Sequence, residues 1–291
     1  SSYLNFGIGT DDEIKKITVI WSNGNQETIE NVEKNTTIEF DIKNSVLVED
    51  NLSIENNKYF ESENIVEYKH IENIYNDYEK EVLLPHENSR LGPGIASGDI
   101  NGDGLEDFIV GGAKDQKTAI FIQNTTGSFN KLEKALPESH KDYEDMDMIL
   151  EDFDNDGDLD LYVVSGGNEF EPNTPILKDR LYVNDGLGNF KHNNNSVPNN
   201  FSSGMRVSSA DFDKDGDIDL FVGGRVVPGS YPLPADSYLL VNNSTKDEIL
   251  FTNADVSIFP FKDIGLVTSS VWADYNNDSW VDLIVVGEWT P

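Results

Sequence analysis

The chain contains the acidic stretch Asp211-Phe-Asp213-Lys-Asp215-Gly-Asp-Ile-Asp219, followed directly by the apolar segment Leu220-Phe-Val-Gly-Gly224. Three further stretches repeat this pattern, and they begin at Asp99, Asp152 and Asp274. Each stretch places a carboxylate or amide side chain at positions 1, 3, 5 and 9. Alternate residues of a tight loop turn their oxygen atoms onto a common centre, and oxygen ligands at this spacing are typical of calcium sites. The repeat therefore predicts calcium-binding loops.

The predicted ligands are the side chains at positions 1, 3, 5 and 9 and the backbone carbonyl at position 7. They are Asp99, Asn101, Asp103, Leu105 and Asp107 in loop one; Asp152, Asp154, Asp156, Asp158 and Asp160 in loop two; Asp211, Asp213, Asp215, Asp217 and Asp219 in loop three; and Asp274, Asn276, Asp278, Trp280 and Asp282 in loop four. Magnesium demands stricter octahedral geometry and keeps more water. The chain has no Cys for thiolate-seeking metals. We expect three to four Ca²⁺ ions.

Loop four departs from the pattern. Three loops have Gly at position 6, where a positive φ lets the chain double back, but loop four has Ser279. It also has Asn276 in place of a carboxylate at position 3. Because ligand charge raises calcium affinity and a non-glycine residue at positive φ is strained, we expect site four to be empty or weakest.

Two other interpretations of the loops are less favoured. An EF-hand requires Glu at position 12 and flanking helices, whereas position 12 here is Val110, Val163, Val222 or Val285. Simple Asx-turns, rich in Asp for solubility, would explain a single copy. Four in-register copies make that explanation much weaker, so the metal interpretation is favoured.

The loops recur with strand-like segments around them. Small residues precede three of the loops, at 95–98, 207–210 and 268–273, and short apolar segments follow all four, at 108–112, 161–164, 220–224 and 283–287. These segments are too short for helices and are typical of buried strands. The first Asp recurs at 99, 152, 211 and 274, which gives spacings of 53, 59 and 63 residues. Periods of this size indicate repeated supersecondary units.

A third strand is predicted at 120–124, 181–184 and 238–242, and a turn then leads to Phe129 or Phe190 at the start of a fourth. One period therefore predicts one four-stranded β-propeller blade. The predicted fold class is all-β, a partial β-propeller of four-stranded blades with calcium loops, preceded by a small antiparallel β module.

The segment from about Leu91 onward resembles the FG-GAP or VCBS-type repeats of integrin-like β-propellers. The resemblance is carried by Asp215-Gly-Asp-Ile-Asp-Leu-Phe-Val-Gly-Gly224 and its three sibling segments. It implies that the loop between the first two strands of each blade binds Ca²⁺ through side chains at positions 1, 3, 5 and 9 and a backbone oxygen at position 7. The resemblance is a specific indication of the fold and of the bound metal, but only a weak indication of the molecular role.

The first fifty residues have a different character. Leu4-Asn-Phe-Gly-Ile-Gly9, Ile17-Thr-Val-Ile-Trp21-Ser-Asn-Gly-Asn25 and Thr37-Ile-Glu-Phe40 alternate apolar and polar residues and predict antiparallel strands. They resemble the ASPIC/UnbV module of cartilage-acidic-protein-like extracellular proteins and of Bacteroidota surface proteins. We expect this module at 1–50, a linker at 51–67 and the propeller portion at 68–291, with three complete blades and half of a fourth.

The module and the propeller portion are both expected to be incomplete, as parts of a longer polypeptide. The module resemblance begins only at Phe6-Gly-Ile-Gly9, and the fourth repeat stops after its second strand. Closed propellers use whole blades, and an open sheet would expose residues 283–286 as an apolar edge. Further blades or a partner would cover that edge.

Composition narrows the range of partners. With 21 basic and 54 acidic residues, the net charge is −33. A surface this acidic repels nucleic acid and anionic lipid, so neither is expected as a main partner. It suits an exported protein in millimolar calcium, and zero Cys fits a bacterial one. No apolar run is long enough to span a membrane, so no transmembrane segment is expected.

We do not expect an enzyme. Almost every striking pair of carboxylates lies inside a predicted metal loop, and the histidines lack the spacing of a metalloprotease or a nucleophile elbow. They are His70, His86, His140 and His192. Propellers hold loops on rigid strands, which favours a binding or scaffolding role.

A proline-rich segment offers a second candidate surface. Residues 223–234 include Arg225 and Tyr231, which together with Glu288 and Trp289 could recognise protein or glycan. Alternatively, this segment packs over its own blade and the Trp residues fill the core between blades. The leading hypothesis is a calcium-stabilised extracellular or cell-surface propeller in protein contact, adhesion or an envelope complex. The alternative is a glycan-binding or polysaccharide-utilisation accessory protein.

Overall fold

A computed structural model describes residues 14–21, 23–47, 65–132, 136–246 and 248–290. The chain divides into two compact units, residues 1–63 and residues 64–291. Within the described residues the regular structure is almost entirely β. The few helices are α1 (Asp77–Lys80) and three short 3₁₀ helices, Ile42–Asn44, Glu138–Asp142 and Pro175–Leu177. In the described part of the chain, no helix has the length and apolar character needed to cross a membrane.

The first unit contains one antiparallel sheet. Its strands are β1 (Ile14–Ile20), β2 (Asn25–Val32) and β3 (Val46–Leu47), in the order β1-β2-β3. A tight turn joins β1 to β2: Gly24 has φ +84°, and its N–H donates to the carbonyl of Trp21 at 2.8 Å. The predicted hairpin around this turn is therefore confirmed.

The strand predicted at Thr37-Ile-Glu-Phe40 is wrong. These residues belong to no described strand, and β3 pairs with Asn25 and Gln26 instead. The N–H of Asp41 donates to the side chain of Glu27 at 3.0 Å rather than to a backbone carbonyl. Alternation of apolar and polar residues creates a strand only where a backbone partner is available. The motif at residues 4–9 and most of the predicted linker lie outside the described residues.

The second unit contains three four-stranded antiparallel sheets and one two-stranded sheet. The strands, in chain order, are β4 (Ile95–Gly98), β5 (Asp107–Val110), β6 (Ala119–Gln123) and β7 (Phe129–Lys131); β8 (Asp145–Glu151), β9 (Asp160–Ser165), β10 (Arg180–Val183) and β11 (Lys191–His192); β12 (Gly204–Ala210), β13 (Asp219–Gly224), β14 (Tyr238–Asn242) and β15 (Phe251–Asn253); and β16 (Leu266–Ala273) with β17 (Asp282–Glu288). Each sheet pairs its strands in sequence order, which confirms one predicted blade per repeat.

The cores lie between successive sheets. Every residue of β9 is buried, because alternate side chains of this strand face opposite neighbours. Leu161 and Val163 pack with residues of the first sheet, whereas Tyr162 and Val164 pack with residues of the third. This two-sided burial explains why the sequence after each Asp loop is a continuous apolar run rather than an alternating one.

The first strands of the sheets lie next to one another. The side chain of Asp147 in β8 accepts the N–H of Val207 in β12 at 3.0 Å, and Ser208 in β12 contacts Ser270 in β16 at 2.9 Å. The spacing between β8 and the residues before β4 is very small: a Cβ added to Gly94 would lie 2.5 Å from Cα of Asp147. Small residues in the first strands therefore permit radial packing, and the fold is a partial β-propeller.

The last sheet leaves one apolar face open in this chain. Ile284 and Val286 of β17 are 40 % and 51 % exposed, and Val271 of β16 is 53 % exposed. Val271 pairs with Ile284, so these side chains share one face of the sheet. Leu283 and Val285, which lie between these residues in β17, are partly buried.

Candidate metal centre

The four Asp loops occupy equivalent places in the fold. Each one joins the first strand of a sheet to its second strand, and position 9 is the first residue of that second strand. All four loops therefore lie at the same end of the sheets. This placement follows directly from the sequence pattern, in which a small-residue strand precedes each loop and an apolar strand follows it.

The backbone of each loop has a positive φ at two positions. Position 6 was predicted, and it holds Gly104 (φ +83°), Gly157 (+99°), Gly216 (+98°) and Ser279 (+72°). Position 4 was missed, and it holds Gly102 (+74°), Asn155 (+58°), Lys214 (+64°) and Asn277 (+61°). The sequence does carry a signal for this second positive φ: three of the four residues at position 4 are Asn or Gly, and both residue types tolerate the left-handed region.

Loops two and three bring three carboxylates together. One oxygen from each of Asp152, Asp154 and Asp156 lies within 4.8 Å of the others, and Asp211, Asp213 and Asp215 form the same arrangement. The positions 1, 3 and 5 predicted from the sequence are therefore neighbours in space. Carboxylate oxygens in such a group suit a hard divalent cation.

Two carboxylate oxygens in these loops are buried without a hydrogen-bond partner. They are Oδ1 of Asp154 and Oδ1 of Asp211. The pKa of Asp154 is raised by burial and then by repulsion from Asp156 and Asp152. A carboxylate that lacks both water and a donor is unfavourable unless a positive charge compensates it. The residues present therefore fit a bound cation.

Loops one and four satisfy their carboxylates in another way. The Asn101 amide donates to Oδ2 of Asp103 at 3.3 Å, and the Asn276 amide donates to Oδ2 of Asp278 at 3.0 Å. A neutral amide at position 3 lowers the negative charge of the loop and supplies a donor in place of an ion. Loops one and four therefore need a bound cation less than loops two and three do to compensate their negative charge.

The aspartates at position 9 support the loop backbone. Asp107, Asp160 and Asp219 are buried, and each accepts the N–H of loop position 2 and an N–H from the third strand of its own sheet. Asp160, for example, accepts from Phe153 at 3.3 Å and from Asn184 at 2.9 Å. Burial raises the pKa of Asp160 and of Asp219 to about 7. This supporting role was missed from the sequence, and coordination by these side chains stays a prediction.

The residues at position 7 complete the turn. Their N–H groups donate to the position 5 carboxylate at 2.8–3.0 Å, and they are Leu105, Asp158, Asp217 and Trp280. Side chains also connect neighbouring loops. Asn155 of loop two donates to Asp217 of loop three at 2.8 Å, and Nζ of Lys214 lies 3.9 Å from the ring centroid of Trp280 in loop four.

One interpretation predicted that the proline-rich segment at 223–234 packs over its own blade, whereas two of its contacts reach other parts of the second unit. Arg225 is 3 % exposed and donates to Glu288 at 2.5 Å, and the N–H of Tyr231 donates to Glu81 at 2.6 Å. Trp289 does not fill the core, since it is 72 % exposed and its Nε1 lies 3.3 Å from the Tyr231 hydroxyl. That part of the interpretation is wrong.

Comparison with known families agrees with this architecture. The family model described as FG-GAP-like repeat matches residues 99–163 and 152–222, which include loops one, two and three. The model described as ASPIC and UnbV matches residues 1–46. A search of curated proteins gives no match to the chain. The chain thus carries FG-GAP-like repeats and an ASPIC and UnbV domain, the two elements that the sequence resemblance indicated.

Proposed function

We propose that the Asp loops bind Ca²⁺ and that the chain acts as a calcium-stabilised extracellular or cell-surface scaffold. One observation carries the metal assignment: Asp152, Asp154 and Asp156, like Asp211, Asp213 and Asp215, place three carboxylates within 4.8 Å. Three negative charges at that separation repel one another, and a divalent ion converts the repulsion into attraction. Binding energy for the ion then becomes folding energy.

Calcium titration tests this assignment. D213A should remove one ion and leave loops one and two able to bind, because each loop supplies its own ligands. D142A is a matched control: Asp142 is an exposed carboxylate in the 3₁₀ helix Glu138–Asp142, outside the loops. Equal calcium stoichiometry in the two variants would contradict the assignment.

The four sites should not be equal. Loops two and three each carry five Asp residues, whereas loops one and four each carry three Asp and have Asn at position 3. Ligand charge raises calcium affinity. We propose that loops two and three fill first and loop four last. Filling of the site at Asp274, Asn276, Asp278 and Asp282 before the others would reverse this order.

A scaffold role rests on the rigidity of the blades and on the acidic surface. Buried strands fix the loops at both ends of the sheets, which is the usual basis of propeller-mediated recognition. A net charge of −33 disfavours nucleic acid and anionic lipid, so we propose a protein partner in adhesion or an envelope complex. We also propose that the chain is not an enzyme.

The native host provides the test of this role. Surface-restricted cross-linking on intact cells should label the chain and recover a defined partner in calcium, and the cross-link should disappear in EGTA. A chain that is protected from a membrane-impermeant cross-linker in intact cells would contradict surface exposure.

Glycan binding is the second candidate, and a cleft on the third blade favours it. This cleft has a volume of about 430 Å³ and is lined by amide and aromatic side chains, among them Asn173, Asn200, Asn253, Phe259 and Phe261. Amides and aromatic faces are common partners of neutral polar ligands such as sugars. Binding on a glycan array that is abolished by F259A would support this function over the protein scaffold.

A further inference from the structure

A small pocket lies where the first blade meets its connection to the second blade. Its wall is formed by residues just before β6, by the end of β7 and by the 3₁₀ helix Glu138–Asp142. That helix precedes β8, whereas loop two follows β8, so the pocket lies at the end of the sheets remote from the Asp loops. Its volume is about 110 Å³. Pockets for whole small molecules have volumes of roughly 300 Å³ or more, so this one suits a single ionic group.

The pocket is basic in a strongly acidic chain. Lys117, Lys131 and Lys141 line it, and none of the described residues in its wall is acidic. The surrounding sequence, residues 114–141, has five lysines and three acidic residues, so its net charge is +2 against −33 for the whole chain. At physiological ionic strength the Debye length is about 8 Å, so lysines in the wall act on a ligand more strongly than distant carboxylates do. The overall charge therefore does not exclude an anionic group here.

A carboxylate of the chain already binds between two of these lysines. Oε2 of Glu138 contacts Nζ of Lys117, and Oε1 of Glu138 lies 3.6 Å from Nζ of Lys141. The hydrogen bond from Lys117 is the main reason why the pKa of Glu138 is lowered. The side chain of Glu138 is 65 % exposed, so a ligand can displace it. The two ammonium groups therefore converge on a point where an oxyanion is stabilised.

His140 adds a neutral donor to the wall of the pocket. Nη1 of Arg180 lies 3.3 Å from the Tyr182 hydroxyl, which in turn lies 2.6 Å from Nδ1 of His140. Because Arg180 can only donate, the Tyr182 oxygen accepts from it and the Tyr182 proton is directed to Nδ1. Burial, followed by the charges of Arg180 and His192, lowers the pKa of His140 to about 4, so the ring is neutral at pH 7.

The neutral ring of His140 therefore has its proton on Nε2. No described residue accepts a hydrogen bond from this nitrogen, whereas Nδ1 is engaged with Tyr182. Since His140 lines the pocket, Nε2 is the ring nitrogen left to donate to a ligand.

We propose that this pocket binds a tetrahedral oxyanion, either free sulfate or phosphate or the same group as an ester on a larger ligand. Lys117 and Lys141 supply the positive charge, and Nε2 of His140 supplies a further donor. A carboxylate offers only two oxygens and engages the two lysines alone, as Glu138 shows. A phosphate group offers three acceptor oxygens, and sulfate does the same, so either can use the lysines and the imidazole together. Glu138 is then an internal competitor for the site.

The site is independent of the functions proposed above. It shares no residue with the Asp loops or with the cleft on the third blade. Its failure would therefore leave the calcium assignment and the glycan candidate unchanged.

Titration of the full chain with sodium sulfate at constant ionic strength tests the pocket. The imidazole NMR signals of His140 should shift along a saturable curve. K117Q should weaken sulfate binding about fivefold, the size expected for one exposed charge contact. E138Q should strengthen binding by a similar factor, because both lysines lose their internal partner. K80Q is the matched control: it changes the net charge equally, and Lys80 is an exposed lysine that pairs with Glu171 at 3.8 Å, outside the pocket.

The opposite signs expected for K117Q and E138Q make the test decisive. Equal sulfate affinity in K117Q and K80Q would overturn the proposal, as would unchanged or weaker binding in E138Q. A His140 shift that does not saturate would overturn it as well. Sodium acetate should bind more weakly than sulfate, and equal affinity would overturn the preference for a tetrahedral group.

The source of the oxyanion is decided by comparing the free ions with their esters. The probes are inorganic sulfate, inorganic phosphate, a sulfated disaccharide and glycerol phosphate. An ester that binds more tightly than its free ion supports the pocket as a contact for a larger ligand. Equal affinity supports it as a site for the free ion, and no binding of any of the four probes overturns the proposal.

Discussion

The side-chain amide of Asn242, at the end of β14, donates to the backbone carbonyl of Phe153 in loop two at 2.9 Å. A side chain of the third blade thereby supports the Asp loop of the second blade. Asn184 repeats the arrangement one blade earlier, and it donates to the carbonyl of Ile100 in loop one at 2.8 Å. The N–H of each asparagine also donates to the position 9 aspartate of its own blade, so successive loops are joined through a pair of hydrogen bonds.

Replacing Asn242 with Ala should lower the stability of the chain by about 1–3 kcal/mol, because the buried Phe153 carbonyl loses its donor. The calcium affinity of loop two should fall as well, although Asn242 lies in another blade. Thermal unfolding and calcium titration measure the two effects. Asn243, which is adjacent and exposed, provides the control variant N243A. An unchanged loop two affinity in N242A would contradict the coupling between blades.

Removing calcium should lower the melting temperature by several degrees. At a free calcium concentration 100 times its dissociation constant, one ion bound only to the folded state contributes about 2.7 kcal/mol. Differential scanning calorimetry in excess Ca²⁺ and in EGTA measures the difference. Identical melting curves in the two conditions would refute the stabilising role of the loops.

Ser279 and Gly216 both occupy position 6 of their loops, where the positive φ is strained for serine and readily adopted by glycine. Ser279 has φ +72°, so S279G should relieve strain and stabilise loop four by roughly 1 kcal/mol. The reciprocal change G216S should destabilise loop three by a similar amount. A steric clash does not explain the expected destabilisation, because a Cβ added to Gly216 meets no atom within 4 Å. Calcium titration and thermal unfolding of S279G and G216S test this prediction. If both substitutions raise stability, or both lower it, the prediction is contradicted.

His140 should make stability depend on pH below neutrality. Burial lowers its pKa to about 4, and the positive charges of Arg180 and His192 add to the effect. An unfolded histidine has a pKa near 6.5, so the unfolded chain binds more protons between pH 6.5 and pH 4. The contribution of neutral His140 to the stability of the folded chain is therefore complete above pH 6.5. It is lost as the pH falls from 6.5 to 4.

H140Q tests this dependence, because glutamine does not titrate in the interval. Urea unfolding at several pH values should give a smaller slope of stability against pH in H140Q than in the parent protein. His192 keeps part of the slope, since burial and Arg180 lower its pKa as well. A slope in H140Q equal to the parent slope between pH 4 and pH 6.5 would contradict the prediction.

The repeated pattern of Asp, Gly and apolar residues was sufficient to predict the blades and the positions of the four loops. This pattern acts through residues that are close in sequence. The loop turns require a residue that tolerates positive φ at position 6, and strands such as β9 are indicated by a run of adjacent apolar side chains. Local chemistry of this kind is present in the sequence before any tertiary contact forms. The segment 37–40 shows the limit, because its alternation was correct for a strand and no partner was available.

Long-range contacts were decided only by the tertiary structure. The asparagines that join one blade to the loop of the previous blade act across 84 and 89 residues of sequence. The sequence by itself therefore determined which loops could bind a cation. Packing of the sheets decided which buried oxygens were left without a donor, because desolvation depends on what surrounds a group and not on its neighbours along the chain.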